Sequence, residues 1–171
     1  MESIRKVSTL IRHLKNAVPE DFPKILKALK IPSKEFEPFM SWKPNGYSRN
    51  CIRREAHFEL VLLCWNPGNA TPIHSHSGQK CWVYQVSGKI SEKRFLRQDS
   101  GDPREISTKA LYPGTLTYME DRMGYHVLEN DSGLAATTLH LYMSPIDSCE
   151  YFCKDEAVFK EKKLAYDTIH H

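Results

Sequence analysis

The stretch Pro72-Ile73-His74-Ser75-His76-Ser77-Gly78-Gln79-Lys80-Cys81 is the most informative segment of the chain, because it places two histidines one residue apart. If residues 73–77 are extended, the two imidazoles point to the same side, since strand side chains alternate with a period of two. A pair of neighbouring imidazoles suits a first-row metal ion. Such pairs also occur on ordinary surface strands, so a metal site requires a third ligand from elsewhere in the chain.

Length and charge narrow the class of protein. A chain of 171 residues is long enough for one domain with a hydrophobic core, and we expect residues 1–171 to form a single domain. The 24 basic and 21 acidic residues give a net charge of +3 without a basic block, which offers no electrostatic basis for binding nucleic acid. No apolar run approaches the roughly 20 residues of a membrane span, so we expect no membrane partner.

The cysteines do not indicate a disulfide framework. There are five of them, at irregular spacing and without a signal peptide: Cys51, Cys64, Cys81, Cys149 and Cys153. We therefore expect free thiols and a cytoplasmic location. Cys149 and Cys153 could contribute to a zinc site, but no second pair completes it.

Residues 1–42 are predicted to be helical. The apolar positions Val7, Leu10, Ile11 and Leu14 form one stripe of a first helix, which Pro19 ends. A second helix carries Ile25, Leu26 and Leu29. Ser33 is predicted to cap a short third helix that carries Phe36 and Phe39. These helices are expected to pack on the outside of a β core.

From Tyr47 onward the pattern favours short strands separated by turns, as in an all-β sandwich or barrel. The charged run 160–163 is predicted to be a solvated turn, and residues 152–166 as a whole to form a weak hairpin. The predicted strands cover residues 58–65, 81–86, 90–96, 105–111, 115–119, 126–128 and 135–142.

The last strong strand has one polar face, formed by Thr138, His140 and Tyr142, and a mostly apolar face on the other side. A polar face is commonly the solvated side of a sheet. A histidine and a tyrosine are unusual there, and the same face could line a polar pocket inside a small barrel. The strand alone leaves both alternatives open.

The spacing of several motifs resembles the cupin superfamily. Five residues separate Gly68 from the His74–His76 pair, and eleven separate His76 from Gly88, as in the first cupin motif. The usual acidic residue of that motif is absent, and Cys81 stands near its place. A stretch beginning at Pro113 and running through Gly124-Tyr125-His126 to Asn130 resembles the second motif. The resemblance implies that His126 is the third ligand; spacing alone does not choose it over His140.

Five motifs in order resemble the thiol dioxygenases, and specifically the type I cysteine dioxygenases, over about residues 10–168. The resemblance implies a mainly β fold: a small jelly-roll-like cupin β-barrel with a C-terminal hairpin over residues 47–171, with the N-terminal helices packed outside. Ser75 departs from the acidic residue common at its position, and the chain ends sooner than the longer animal members. The motifs are Tyr47-Ser48-Arg49-Asn50, Leu63-Cys64-Trp65, His74-Ser75-His76 with Cys81, Gly124-Tyr125-His126 with Asn130, and Leu139-His140-Leu141-Tyr142.

The same resemblance implies an Fe(II) enzyme with one iron per chain, held by His74, His76 and His126. Such enzymes oxidise L-cysteine with O2 to cysteine sulfinic acid, and the substrate chelates the iron through its thiolate and amine. Three neutral imidazoles fit this chemistry, because the substrate thiolate supplies the charge that a carboxylate ligand supplies in other non-haem iron sites. The implied partners are cysteine and O2, the implied state is a monomer, and the implied role is in cysteine catabolism and taurine biosynthesis.

The resemblance also implies roles around the substrate. Arg49 would bind the substrate carboxylate through two parallel hydrogen bonds, with support from Tyr47. Leu63 and Trp65 would form walls of the pocket, and Cys149 would lie near its mouth.

Three further residues are implied in catalysis. Tyr142 would present its phenol to the reacting groups, and His140 would hold that hydroxyl. In the animal members a thioether joins the cysteine and tyrosine that match Cys81 and Tyr142, so both partners of that cross-link, a protein-derived cofactor, are present here, and the sequence leaves open whether it forms. A plain buried thiol is the alternative for Cys81.

Other functions remain open at this point. One is a dioxygenase for another small thiol such as 3-mercaptopropionate, although that branch tends to carry glutamine in place of Arg49. Another is a non-enzymatic metal-binding cupin. A third is a different metal cupin, such as an isomerase or a quercetinase-like oxygenase, which usually keeps the acidic ligand. No motif supports His13, His57, His170 or His171 as ligands.

Overall fold

Strands dominate the computed structural model, which describes residues 2–170; Met1 and His171 lie outside the described residues. The helices are α1 (Val7–Asn16) and α2 (Phe22–Lys27), with 3-10 turns at Pro19–Asp21, Ser33–Phe39 and Asp121–Met123. The strands are β1 (Ser48–Glu55), β2 (Phe58–Trp65), β3 (Cys81–Ser87), β4 (Ile90–Arg97), β5 (Pro103–Leu111), β6 (Leu116–Met119), β7 (Tyr125–Glu129), β8 (Ala136–Tyr142), β9 (Ser148–Cys153), β10 (Val158–Lys163) and β11 (Thr168–Ile169).

The strands form two sheets and a hairpin. The larger sheet has the order β11-β1-β2-β8-β3-β6, the smaller has the order β5-β4-β7, and β9 pairs with β10. Strand β11 is parallel to β1, and the other pairs are antiparallel. Among the described residues the sheets do not close into a continuous barrel, but the arrangement is jelly-roll-like. The predicted mainly β fold with external helices is confirmed.

The middle of the larger sheet is buried on both faces, which explains why β2 is apolar on both faces at every position except Glu59. All eight residues of β2 are buried. Leu60 and Leu62 belong to a core cluster on the helix side, whereas Val61 and Leu63 belong to a second cluster on the inner side. A strand covered on both faces loses the alternation of a half-exposed strand. The inner face is where the candidate site lies.

The helices are stabilised by the packing of their apolar faces more than by capping of their termini. Val7, Leu10 and Leu14 of α1 are buried, as the predicted stripe requires, and no side chain caps the N-terminus. A ten-residue helix is marginal alone, so its stability comes from the apolar face it buries. The expected cap at Ser33 is wrong: Ser33 is the first residue of the 3-10 turn, and no side chain caps that turn.

The strand predictions agree with the structure to within one or two residues at most ends, but β1 and β11 were not predicted and one charged run was assigned to the wrong structure. Strand β1 was not predicted, because Arg49, Arg53 and Arg54 make it look polar although its middle is buried. The run 160–163 is wrong as a turn, because it lies in β10 and pairs with β9. No helix within residues 2–170 combines the length and apolarity needed to cross a membrane.

Candidate metal centre

His74, His76 and His126 converge on one point. One nitrogen from each ring lies within 4.8 Å of the others, and the ring centroids are 4.6–5.4 Å apart. Among residues 2–170 this is the one group of three or more histidine, cysteine or acidic side chains close enough to hold a metal ion. The sequence pair and the distant histidine are therefore brought together by the fold.

A backbone pair explains why His126 lies beside the His-x-His segment. The His74 N–H donates to the His126 carbonyl at 3.1 Å, and the His126 N–H donates to the His74 carbonyl at 3.0 Å. Directly opposed residues of an antiparallel bridge project their side chains to the same side. The segment around His74 is not a regular strand, but such isolated bridges hold it in place; Ser75 N–H also donates to the Glu150 carbonyl at 2.9 Å.

The carboxylate of Asp121 secures the other end of this loop. It accepts hydrogen bonds from the backbone N–H groups of His76, at 2.9 Å, and Gly78, at 2.6 Å. Gly78 has φ +82°, a conformation that favours glycine. Asp121 lies in the short 3-10 turn before β7, so one turn positions both His76 and the strand that carries His126. Nothing in its local sequence distinguishes Asp121 from any other loop acid.

Gly124 allows β7 to approach β4 closely. Its φ is +93°, and a Cβ at this position would lie 2.2 Å from the Phe95 carbonyl oxygen. Only glycine fits both the conformation and the contact. Glycine is therefore required in the Gly124-Tyr125-His126 motif, because it lets β7, the strand that carries His126, pack closely against β4.

The second nitrogen of two rings is already engaged. His74 Nδ1 donates to the Pro72 carbonyl at 2.9 Å, and His126 Nδ1 donates to the Glu92 carboxylate at 3.0 Å. Each of these bonds leaves Nε2 free as a lone-pair donor. His126 Nε2 and His76 Nδ1 are buried with no hydrogen-bond partner in the structure. Buried polar atoms normally have partners, so these orphaned nitrogens fit a bound cation.

The charge state of the rings also fits a metal. Burial, followed by the neighbouring His126 ring, lowers the pKa of His74 to about 3. Burial likewise lowers the pKa of His76 well below its usual range. The neutral rings of His74 and His76 present lone pairs near neutral pH, and a histidine cluster without a carboxylate suits a divalent first-row ion.

Glu92 is a buried carboxylate that sequence analysis did not identify. One oxygen accepts the bond from His126, and the other meets Thr117 Oγ1 at 2.9 Å, Lys109 Nζ at 3.0 Å and Arg94 Nη2 at 3.5 Å. Burial alone would raise the pKa of Glu92, but its partners lower that pKa to about 2. The sequence could have indicated it, because Glu92 lies two residues after the apolar Ile90 and so shares its inward face of the strand. A charge on an inward face needs partners.

A small pocket with a cavity volume of about 30 Å³ opens beside the histidine cluster and is lined by His74 and His76 but not by His126. Its lining includes Arg49, His140 and Tyr142, so the polar face of β8 lines a pocket and is not a solvated surface. The volume has room for only a few water-sized groups and is far below that of pockets for drug-sized ligands. The other lining residues are Tyr47, Leu63, Thr71, Pro72, His74, His76, Leu128, Ile146, Cys149, Lys162 and Leu164.

Arg49 brings an unpaired cation to this pocket. Its Nε and Nη2 are buried without a hydrogen-bond partner. Burial disfavours the charge, but the oxygens of Tyr142 and then Tyr47 more than offset that effect, so the pKa of Arg49 is raised. A buried guanidinium with free N–H groups is prepared to bind an anion, and a carboxylate matches its geometry.

Trp65 is placed behind the pocket wall. It is absent from the pocket lining, whereas Leu63 and Cys149 lie in it as expected. The Trp65 ring stacks against Tyr47 with centroids 4.7 Å apart, and its Nε1 donates to Thr138 Oγ1 at 2.9 Å. Trp65 thereby supports Tyr47 and Thr138 without facing the cavity.

The expected contact between His140 and the Tyr142 hydroxyl is not what the structure shows. His140 Nε2 hydrogen-bonds with Thr138 Oγ1 at 2.8 Å, and the His140 and Tyr142 ring centroids are 6.2 Å apart. The Tyr142 hydroxyl lies beside the Arg49 guanidinium instead. Side chains two apart on a strand lean in parallel, so the nearer hydroxyl of Thr138 takes the histidine nitrogen.

Cys81 and Tyr142 face each other across the sheet. They are direct partners in the register of β3 and β8, and both are buried. Burial raises the pKa values of the thiol and the phenol above their ordinary ranges. Both groups therefore remain protonated near neutral pH, and neither belongs to the histidine cluster.

Comparison with known proteins gives the family. The model of the family described as "Cysteine dioxygenase type I" matches residues 1–155. The chain belongs to the cysteine dioxygenase type I family. Cysteine dioxygenase type 1 of Homo sapiens is 29% identical over 137 residues, covering 78% of this chain and 68% of the relative. The protein of the same name from Danio rerio is 28% identical over 140 residues, covering 78% and 69%.

Solved structures support the fold of this cysteine dioxygenase family member. A Thermus thermophilus protein superimposes with a TM-score of 0.52 at 18% identity, covering 64% of this chain and 93% of that protein. A Klebsiella pneumoniae protein with a double-stranded β-helix domain gives 0.50 at 13% identity, covering 75% and 94%. At these identities the likeness concerns the fold alone.

Proposed function

We propose that this protein catalyses the Fe(II)-dependent oxidation of L-cysteine by O2 to cysteine sulfinic acid. The observation that carries the proposal is the juxtaposition of a carboxylate-free histidine cluster with Arg49, whose Nε and Nη2 are buried without partners, at one small pocket lined by Arg49, His74 and His76. A metal ion held by the histidines would bind a thiolate, and the neighbouring Arg49 would bind a carboxylate. These two groups are the anionic ends of cysteine. Both atoms of O2 add to the sulfur, so RS⁻ and O2 give RSO2⁻ without another reductant.

The chain would contribute mainly by binding and orientation. His74, His76 and His126 would hold the iron, which would supply a site for both the substrate sulfur and O2. Arg49, with Tyr47 beside it, would bind the substrate carboxylate and set the distance from the carboxylate to the sulfur. The small cavity would keep bulk water away from the reacting groups.

Tyr142 and His140 are proposed to act on the same substrate. The Tyr142 phenol lies in the pocket beside Arg49 and remains protonated, so it can donate a hydrogen bond to the carboxylate or to oxygen on sulfur. His140, held by Thr138, is proposed as a positioning residue on the same face.

The facing pair Cys81 and Tyr142 predicts a thioether cross-link. Forming it removes two protons and two electrons from the pair, and O2 would accept them. After incubation with iron, cysteine and O2, denaturing mass spectrometry should show a species lighter by the mass of two hydrogen atoms. The wild type should also give a doublet on a denaturing gel. The Cys81→Ser variant should show neither the lighter species nor the doublet. An unchanged mass for the wild type after many turnovers would contradict the cross-link.

Anaerobic iron loading followed by oxygen uptake with a panel of thiols tests the main proposal. Cysteine should be oxidised to the sulfinate, and cysteamine and 3-mercaptopropionate should react more slowly. Preference for 3-mercaptopropionate would favour the dioxygenase of another small thiol. Full iron occupancy without oxygen uptake for any thiol would favour a non-enzymatic metal-binding cupin.

The proposal includes a single cupin domain over residues 1–171 that acts as a monomer in the cytoplasm. The two core clusters on opposite faces of one sheet support the single domain. The five free cysteines support a reducing compartment.

A further inference from the structure

Glu92 joins one histidine of the metal centre to two cations, Lys109 of the neighbouring strand β5 and Arg94 of its own strand β4. Its Oε1 accepts the hydrogen bond of His126 Nδ1, and its Oε2 receives Lys109 Nζ at 3.0 Å and Arg94 Nη2 at 3.5 Å. Glu92 and Lys109 are direct partners in the register of β4 and β5, and Arg94 is the direct partner of His126 across β4 and β7. Glu92 and His126 are buried, whereas the Lys109 side chain is 48% exposed.

We propose that Lys109 is a positioning residue that sets the electron-donating strength of His126 through Glu92, and thereby the redox potential of the bound metal. The inference rests on the proposed metal centre. It assigns a role to an exposed lysine on the edge strand β5, far in sequence from every metal ligand.

The direction of the effect follows from competition for one carboxylate. A carboxylate that accepts a proton strongly from an imidazole N–H makes the other ring nitrogen a better donor to a metal. A cation on the second oxygen draws negative charge away from that hydrogen bond. Lys109 therefore weakens the donor character of His126 and favours Fe(II) over Fe(III). Removing its charge should lower the midpoint potential.

The geometry allows this charge to be removed without losing the carboxylate. Lys109 Nζ also donates to Thr117 Oγ1 at 2.7 Å, and Arg94 Nη2 donates to the same oxygen at 3.1 Å. Without Lys109, Arg94 still holds Thr117, and the Oε2 of Glu92 keeps the hydroxyl of Thr117 at 2.9 Å and Arg94 at 3.5 Å. Arg94 is itself anchored to the Tyr118 carbonyl at 2.7 Å. Glu92 should thus remain in place toward His126, and the change should be one of charge.

Lys93 provides a matched control on the same sheet. Its side chain is 35% exposed and pairs with Glu129 at 2.7 Å. Lys93 directly follows Glu92 in β4, so its side chain points to the opposite face of the sheet and forms no ion pair with Glu92. Lys93→Met therefore removes the same charge from this sheet without removing a contact of the Glu92 carboxylate. Lys109→Arg keeps the charge and tests whether the charge matters more than the side-chain shape.

The experiment is a mediated redox titration of the iron-loaded protein without substrate, with the Fe(III) signal in electron paramagnetic resonance as the readout. Lys109→Met should have a lower midpoint potential than the wild type, whereas Lys109→Arg and Lys93→Met should match the wild type. Iron content and the melting temperature confirm that each variant is loaded and folded. Lys109→Gln takes the place of Lys109→Met if the latter does not fold.

The outcomes separate this inference from the proposed function. Iron-loaded wild type and Lys109→Met with equal potentials would overturn the inference and leave the proposed function standing. The inference would also fail if Lys109→Arg fell as low as Lys109→Met, or if Lys93→Met shifted equally. A wild type that takes up no iron would overturn the proposed function and this inference together.

Discussion

Replacing His126 with alanine should weaken metal binding by more than about 100-fold, since losing a direct ligand should exceed the 10–100-fold effect of losing an outer partner. The change leaves only His74 and His76 and also deprives the buried carboxylate of Glu92 of its histidine. An unpartnered buried acceptor costs further stability. Isothermal titration with Fe(II) under anaerobic conditions measures the affinity, and cysteine-dependent oxygen uptake should fall with it.

His140→Ala is the informative control, because the sequence alone does not distinguish the two histidines as the third ligand. His140 Nε2 is engaged by Thr138, and the ring is not part of the histidine cluster. We expect His140→Ala to bind one metal ion per chain, with activity reduced through the substrate side of the pocket. Metal retention by His126→Ala together with metal loss by His140→Ala would reverse the proposed ligand set.

Replacing Arg49 with glutamine should lower kcat/KM for cysteine by about 10²–10³-fold, mostly through KM. This range corresponds to roughly 3–4 kcal/mol, within the cost of truncating one member of a buried charged pair. The buried Nε and Nη2 of Arg49 have no protein partner, so the substrate carboxylate would be theirs. A glutamine side chain is neutral and cannot form the two-pronged pair. Steady-state oxygen uptake over a range of cysteine concentrations gives the two constants.

Two controls assign the effect to the carboxylate. Arg53→Gln changes an arginine of the same strand that pairs with Glu55 and faces away from the pocket, and should leave KM unchanged. Cysteamine lacks the carboxylate, so its turnover should be equally low in the wild type and in Arg49→Gln. A normal KM for cysteine in Arg49→Gln would refute the proposed role of Arg49.

The strands and helices are largely predictable because their signals are local. The apolar run of β2, the two-faced pattern of β8 and the stripe of α1 each reflect a burial pattern within one element. Prediction fails where pairing decides the structure. Strand β1 carries arginines but is sheltered between β2 and β11, and the charged end of β10 is a strand only because β9 lies beside it.

The residues of the candidate site also fall into two groups, those that the sequence indicates and those that only tertiary contacts reveal. The His74–His76 pair is visible in the sequence, and family resemblance added His126, which a backbone bridge places opposite His74. Glu92 and Asp121 were missed, because a single acid in a short segment has no pattern of its own. Their importance comes from partners many residues away, such as His126 for Glu92 and His76 for Asp121.

The sequence by itself determined a mainly β cupin chain with external helices, the histidine pair, and the residue types of the pocket, since periodicity and motif spacing are properties of neighbouring residues. Only the tertiary structure decided that the polar face of β8 lines a cavity, that Trp65 stands behind the wall, and that His140 bonds Thr138. It also placed Lys109 on the carboxylate that holds His126. Those contacts depend on the register between strands and on which faces meet, and no local pattern encodes either.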